Sequence, residues 1–259
     1  MTPKVSIIIA TFNSEKTLRN ALDSVLHQSY QDWECLVVDG ASKDSTIEIV
    51  KEYVKKDSRF RYISEPDKGV YDAFNKGWKM AKGHWIHYLG DDDVLTENGI
   101  DDLMKYEDSS IDVLSGHCYV KKINGAIKSC YSHGMHGCHQ GKLMRRSILE
   151  RYGGFDTSYR ILADLDLMNR LSNGGIPVEI INTFVAIFSM GGLSQNLKGI
   201  NMRFKERIKI YKHYGMKTLM IDAYYTTIRD FFSIIYRKFL IIINNISYYK
   251  CEYNEDDSV

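Results

Sequence analysis

Asp91, Asp92 and Asp93 stand side by side at the end of HWIHYLGDDDVL (His84–Leu95), directly after a run of apolar and aromatic residues. Adjacent carboxylates repel one another, and covering them costs each its hydration. Two chemistries fit that pattern. One is a solvated turn between a strand and a helix. The other is a divalent-cation site, where the charge of the ion reverses the repulsion. Three further polar clusters follow apolar runs in the same manner: Thr11-Phe12-Asn13, Asp39-Gly40 and Glu65-Pro66-Asp67-Lys68-Gly69. Another concentration, Cys130, His133, His136, Cys138 and His139, lies within ten residues. Its density suggests zinc, but the spacing matches no paired-ligand module, and metal sites usually draw ligands from separated elements. An active-site loop is the better reading.

The elements that must position these residues are legible from periodicity. VSIIIA (Val5–Ala10) is β-branched and continuously apolar, as a strand covered on both faces should be. WECLVVDG, RFRYISE and HWIHYLG read as the next three strands. Between them, SEKTLRNALDSVLHQ carries Leu18, Ala21, Leu22, Val25 and Leu26 at helical spacing, and DSTIEIVKEYVKK places Ser45 and Glu48 as a capping box. VYDAFNKGWKMAKG aligns Val70, Ala73, Phe74, Gly77, Trp78 and Ala81 in one apolar stripe. Repeated strand–helix units predict an α/β fold, with a mainly parallel, Rossmann-like central sheet flanked by helices. Ligands of such sheets bind beyond the carboxyl ends of the strands, so the four polar clusters converge on one edge.

Beyond about residue 110 the pattern loosens. IDVLSGHCYV reads as a strand, CYSHGMHGCHQG as a loop, and KLMRRSILERYGGFD as a short helix ended by a glycine pair. LADLDLMNRLSNGG is a further helix, IPVEIINTFVAIFSM holds one or two strands, and the last sixty residues read as helical.

Composition narrows the function classes. In 259 residues a formal net charge of +1 gives no overall field toward nucleic acid or another polyanion. The opening MTPKVSIIIATFN has too short an apolar run for a signal peptide, and no stretch reaches the roughly 18 uncharged apolar residues of a spanning helix. Five cysteines without regular spacing fit reduced thiols, so the expectation is a cytoplasmic protein. No Gly-x-Gly-x-x-Gly follows the first strand and no phosphate-binding Gly-x-x-x-x-Gly-Lys-Ser/Thr occurs. Phosphates bound here would be neutralised by a metal rather than cradled by a glycine loop.

Several blocks together carry a family resemblance. VSIIIATFNSEKTLRNALDSVLHQSYQDWECLVVDGASKDST resembles the opening of family 2 glycosyltransferases, which have the GT-A fold. SEPDKGVYDAFNKGWKMAKG and LGDDDVL resemble the next two blocks, and CHQGKLMRRSILERYGGFDTSYRILADLDLMNRL resembles the acceptor-side segment. The resemblance spans roughly residues 3–195 and is nearest to bacterial enzymes of O-antigen, capsule and other surface polysaccharides. It implies a catalytic domain over 1–195, with a nucleotide-sugar half to about residue 110 and an acceptor half from about 111, followed by a helical extension over 196–259.

Residue roles follow from the resemblance. Asp39 would accept the N3 imide proton of a uracil or thymine ring, which points to UDP as the carrier and leaves dTDP and GDP open. Thr11, Asn13 and Glu15 would line the nucleoside pocket, Asp67 would face the nucleotide, and Lys68 would reach a phosphate. The family's acidic metal motif aligns its first acid onto Gly90, a departure that leaves Asp92 at the metal position, with Asp91 or Asp93 giving the second acidic contact. Mg2+ or Mn2+ suits such oxygen ligands. ADLDL places Asp164 as the base for the acceptor hydroxyl, and His139 and Gln140 fall near acceptor and pyrophosphate. The implied reaction is inverting transfer from a nucleotide sugar to a glycan acceptor carried on a polyprenyl diphosphate.

Lys198, Arg203, Lys205, Arg207, Lys209, Lys212, Lys217, Arg229, Arg237, Lys238 and Lys250 outnumber Glu206, Asp222 and Asp230 in the extension, where aromatic and aliphatic residues are interleaved over 228–249. Peripheral contact with the anionic inner leaflet and packing on the catalytic domain or on a second subunit, as a homodimer, weigh equally. Two other functions share the acidic cluster. A sugar nucleotidyltransferase would need a glycine-rich basic loop after the first strand, which ATFNSEKT is not. A nucleotide- or glycan-binding module without turnover would release no UDP from a donor.

Overall fold

A computed structural model describes residues 2–191, 197–216, 219–221 and 223–232. Met1–Met190 form one compact unit and Gly191–Val259 a second. In the first, strands β1 (Val5–Thr11), β2 (Trp33–Asp39), β3 (Phe60–Ser64) and β4 (Trp85–Gly90) are parallel and stand in the order β3-β2-β1-β4. Every residue of β1 and β2 is buried, which explains runs without alternation: helices cover both faces. Register then aligns the strand ends. Thr11 pairs with Asp39, Asp39 with Ser64, and Ala10 with Gly90, so the polar clusters fall on one row. The chain passes outward from β1 through β2 to β3 and returns to β4 on the other side, which opens a crevice at the ends of β1 and β4.

Helices α1 (Leu18–Leu26), α2 (Thr46–Lys56) and α3 (Val70–Met80) make the crossovers. Two details differ from the sequence expectation. The Ser45 side chain makes no capping hydrogen bond; instead the Asp44 carboxylate accepts the Thr46 N–H (3.1 Å) and hydroxyl (2.5 Å). In α3, Tyr71 is buried in place of Val70, which is 44% exposed. The stripe is rotated because the Tyr71 hydroxyl reaches the carbonyl of Ile161 at 2.7 Å.

The second half completes a nine-stranded sheet. After β5 (Val94–Leu95) and α4 (Gly99–Met104) come β6 (Val113–Lys121) and β7 (Ile127–Cys130), two 3-10 turns at Gly134–His136 and His139–Gly141, and β8 (Lys142–Arg145). The KLMR expected in a helix is strand β8, slotted antiparallel between β4 and β6, and helix α5 covers only Arg146–Tyr152. Leu143 and Met144 have no exposed surface, so pairing and burial override the helical reading of that short stretch. The cysteine- and histidine-rich segment is ordered by β7 and the two turns rather than being one loop. Helix α6 spans Ala163–Asn173, and β9 (Val178–Ser189) is a single long strand.

In the second unit, α7 spans Leu197–His213, and helical residues continue at 219–221 and 223–232. Arg203 pairs with Asp230, and Phe204 packs edge-on against Tyr224 at 4.9 Å. The remainder of the apolar run over 228–249, with Arg237, Lys238 and Lys250, lies outside the described residues, as does Lys217. Among the described residues no helix is long and apolar enough to cross a membrane.

Candidate active site

The crevice between β1 and β4 is closed by a carboxylate. Asp91 Oδ2 accepts the Ser14 hydroxyl and, at 3.3 Å, the Phe12 N–H, so the loop after β4 is tied to the loop after β1. The Thr11 hydroxyl is buried beside Asp91 at a geometry short of a hydrogen bond. Asn13 adopts a left-handed conformation (φ 53°) and clasps the loop after β2: its N–H donates to Ser42 Oγ and its Oδ1 accepts the Lys43 N–H, both at 2.8 Å. Ala41 in that loop is also left-handed (φ 62°), a strained state for an alanine of the kind that recurs at functional sites. Glu15 serves the same loop, since its Oε2 accepts the Ser45 N–H at 3.1 Å.

Asp39 has no exposed surface. Its carboxylate accepts the Ser42 N–H (3.0 Å), the Ser42 hydroxyl and the Ser64 hydroxyl (2.6 Å). It therefore organises two serines at the strand ends, and a nucleobase reaching it must exchange with one of them. Asp67 is half-buried and closes over Gly40: a Cβ at Gly40 would lie 2.7 Å from Asp67 Oδ2 and 3.2 Å from the Phe12 ring. Phe12, 58% exposed, thus faces the same hollow as Asp67. The Lys68 side chain is exposed at the rim.

The three aspartates separate into distinct roles. Burial drives Asp91 upward in pKa, against hydrogen bonds from Ser14 and Phe12. Asp93 is 1% exposed, and its oxygens accept the Ser189 N–H (2.8 Å) and Gln140 Nε2–H (2.9 Å). Asp92 lies between them, half-buried. Burial, then the charges of Asp93 and Asp91, push it up to about 7, and its own backbone N–H holds it down in part. A carboxylate so destabilised as an anion, with no hydrogen bond from another of the described residues, fits a hard divalent cation. Among the described residues no three acidic, histidine or cysteine side chains form a closed metal cage. Mg2+ and Mn2+ need none, because one or two carboxylates complete their shell with water and substrate phosphates. Gly90 belongs to the same arrangement: a Cβ there would meet Asp93 Oδ2 at 2.7 Å and Asp92 Oδ1 at 3.2 Å. Any side chain at that position would require Asp93 Oδ2 to shift and Asp92 Oδ1 to give by a few tenths of an ångström.

Asp164 opens α6, and 30% of its side chain is exposed. The Tyr71 hydroxyl is 3.1 Å from its Oδ1, the Leu165 N–H donates to Oδ1 at 2.8 Å, and His139 Nδ1 lies 3.4 Å from Oδ2. Burial raises its proton affinity, but the bond and charge of His139, with Leu165 and Tyr71, outweigh that and hold the carboxyl below its ordinary range. Burial likewise lowers His139, and the bond and charge of Asp164 reverse the effect and leave the imidazole above its ordinary value. Asp164 is therefore an anion with an accessible edge, a state suited to receiving a proton. Asp166, two residues on, is buried in an ion pair with Arg170 at 2.9 Å.

His139 and Gln140 sit on one 3-10 turn, but Gln140 is only 5% exposed and faces Asp93. His133 and His136 are exposed elsewhere in the segment. Ser14, Ser42, Ser64, Tyr71 and Ser189 complete the site, and the sequence pattern does not single them out. Single hydroxyls carry no spacing signal, although Tyr71 at the start of a helix, where an apolar stripe was expected, could have drawn attention.

The comparisons agree on one group of proteins. A family model described as Glycosyl transferase family 2 matches residues 6–133. A PGL/p-HBAD biosynthesis glycosyltransferase from Mycobacterium tuberculosis is 30% identical over 234 residues, covering 85% of this chain and 89% of the relative. A GalNAc(5)-diNAcBac-PP-undecaprenol beta-1,3-glucosyltransferase from Campylobacter jejuni is 30% identical over 135 residues, 51% of this chain and 44% of that protein. In structure, S. aureus TarS 1-349 in complex with UDP-GlcNAc superposes with a TM-score of 0.66 at 19% identity, over 80% of this chain and 66% of that one. Of another TarS structure the chain spans 40%. The mannosyltransferase PcManGT from Pyrobaculum calidifontis, in complex with GDP-Man and Mn2+, has a TM-score of 0.65 at 16% identity, over 83% and 64%. The structural likenesses establish the GT-A fold.

Proposed function

The chain belongs to glycosyltransferase family 2 and is a transferase, and from that premise we propose that it moves a sugar, with inversion, from a UDP-sugar to a hydroxyl of a lipid-linked glycan in surface-polysaccharide assembly. The observation that carries this reading is the anionic, partly open Asp164 carboxylate, held by Tyr71 and by a histidine whose neighbour grips the acidic end of β4. Base and acidic cluster are thereby parts of one site. Relatives support the finer points: one is named for a polyprenol-linked substrate, and a structural neighbour was solved with UDP-GlcNAc.

The roles divide by chemistry. Asp39, with Ser42 and Ser64, forms the base end of the nucleotide pocket, and Thr11, Phe12, Asn13 and Asp67 wall it. The exposed Lys68 ammonium would reach a phosphate. Asp92 would hold Mg2+ or Mn2+, with Asp93 fixed behind it and Asp91 pinning the loop after β1. A bound ion offsets charge on the departing diphosphate. Asp164 receives the proton of the acceptor hydroxyl as that oxygen attacks C1; the timing matters because a carboxylate is a weak base toward an alcohol. Tyr71 and His139 keep the carboxylate aimed while this occurs.

A panel of nucleotide sugars, read by thermal shift with and without Mn2+, tests the donor. UDP-sugars should raise the melting temperature only when Mn2+ is present. Stabilisation by GDP-sugars alone would transfer the assignment to another base, and indifference to all of them would remove the nucleotide site.

Lipid contact has a separate basis in the second unit. Tyr224, Tyr225, Ile228, Phe231 and Phe232 are exposed on helical residues 223–232, next to the exposed Arg229. Aromatic side chains beside cationic ones suit the interface of an anionic bilayer. The double variant Phe231→Ser, Phe232→Ser should reduce co-sedimentation with phosphatidylglycerol vesicles by about tenfold. Equal binding of both proteins would refute this contact.

A further inference from the structure

His139 and Gln140 are consecutive residues on one short turn, yet each grips a carboxylate of a different element. His139 Nδ1 is 3.4 Å from Asp164 at the start of α6. Gln140 Nε2 donates to Asp93, at the end of β4, at 2.9 Å. We propose that this pair is a positioning unit, a two-residue yoke that sets the separation between the proton acceptor and the acidic, donor-binding end of β4. The inference rests on the reading of Asp164 as base and of Asp92 as the donor-side ligand.

Neither residue is placed to act chiefly on substrate. Gln140 is 5% exposed and Asp93 1%, so their bond is internal to the protein. The other end of the Gln140 amide is engaged as well, because the Cys138 thiol donates to its Oε1 at 2.8 Å. The carbonyl of Cys138 accepts the Lys142 ammonium at 3.2 Å, and Lys142 has no exposed surface. His139 stands edge-on to Phe74 at 6.3 Å, and Phe74 packs against Tyr88 of β4 at 4.8 Å. The turn is thus fixed on three sides, by amide, ammonium and aromatic ring.

The foundation is equally fixed. Lys142 begins β8, whose Met144 and Arg145 pair with Ile86 and Trp85 of β4. The carbonyl of Lys142 also lies 2.9 Å from Nδ1 of the buried His87 on β4. Turn and aspartates are therefore mounted on neighbouring, hydrogen-bonded strands. A displacement of the turn would move Asp164 and Asp93 together, and loss of one grip would release only one of them. Transfer needs donor and acceptor within a fraction of an ångström of their reactive approach, so such a fixed spacing bears directly on rate.

The two grips should separate experimentally in the full-length protein. Binding of UDP in the presence of Mn2+, followed by calorimetry, should weaken about tenfold in Gln140→Met, which keeps the volume and loses the donor, and change less than about twofold in His139→Asn. UDP release from a UDP-sugar should slow about tenfold in His139→Asn. Its acid limb should move to higher pH, because Asp164 loses the cation that holds its proton affinity down. A merely structural histidine would lower the rate without moving that limb. Should Gln140→Met fail to fold, Gln140→Asn, one methylene short, carries the same binding test.

A third measurement needs no substrate. In histidine-selective NMR the resonance lost in His139→Asn should titrate above the ordinary imidazole value, and Asp164→Asn should bring it down. An unmoved acid limb in His139→Asn, unchanged UDP binding in Gln140→Met, or a His139 titration indifferent to Asp164 each overturns the yoke. Failure of the wild-type protein to consume any UDP-sugar would instead overturn the base assignment, with the histidine titration still deciding whether the grip exists.

Discussion

Asp164→Asn should lower turnover by about 10²–10⁴-fold, the usual contribution of a positioned general base. The amide preserves shape and still accepts a bond from the Tyr71 hydroxyl, but it cannot take up the acceptor proton. UDP binding with Mn2+ should change less than about twofold, because Asp164 lies on α6 and not on the strand ends proposed to hold the nucleotide. A variant that turns over near the wild-type rate would remove Asp164 from the role.

The same substitution has a pH signature in stability. The carboxyl of Asp164 is held below its ordinary range, so its contribution is present above the unfolded value of about 3.9 and fades as pH falls through the folded one. The imidazole of His139 is held above its ordinary value, so its contribution is complete below about 6.5 and is lost as pH rises through the folded one. Wild type should therefore exceed Asp164→Asn in melting temperature most clearly between about pH 4 and 6.5. The difference should narrow at higher pH, where the imidazole loses its proton. A gap independent of pH would mean that the two groups are not coupled.

Asp92→Asn should abolish the Mn2+ dependence of UDP binding and lower turnover by about 10²-fold or more, since a metal contributes several kcal/mol to a departing phosphate. Among the described residues Asp92 is the carboxylate without a partner beyond its own N–H, whereas Asp91 and Asp93 are engaged by Ser14, Phe12, Ser189 and Gln140. Removing one of three adjacent negative charges also relieves repulsion, so the metal-free variant should melt no lower than wild type. That separates loss of the ion from loss of the fold. Retained Mn2+-dependent binding in Asp92→Asn, measured by calorimetry, would assign the ion to another group.

Much of the half up to about residue 110 is legible in the sequence. Unbroken β-branched runs in VSIIIA and apolar spacing in α1 and α2 identify strand–helix units, because each pattern reflects only which faces are covered. The half beyond about residue 110 is less legible. Strand β8 is four residues long and is defined by partners on β4 and β6 rather than by a pattern of its own. In α3 the buried stripe includes Tyr71 because a hydroxyl partner lies ninety residues away, a preference that no helical periodicity contains.

The family resemblance singled out Asp92 and Asp164, while residue types and order alone led to the α/β class and the convergence of polar clusters on one sheet edge. These follow from local rules, since burial repeats every two residues in a strand and every 3.6 in a helix, and parallel strands present their carboxyl ends together. Tertiary structure alone separated three identical aspartates. Ser14 is 77 residues from Asp91, Gln140 is 47 from Asp93 and Ser189 is 96, and among the described residues no comparable partner meets Asp92. It also joined His139 to Asp164 and Gln140 to Asp93 through one turn. Which carboxylate remains free for a cation depends on which donors the fold brings to the others, and strand register determines that across the whole sheet.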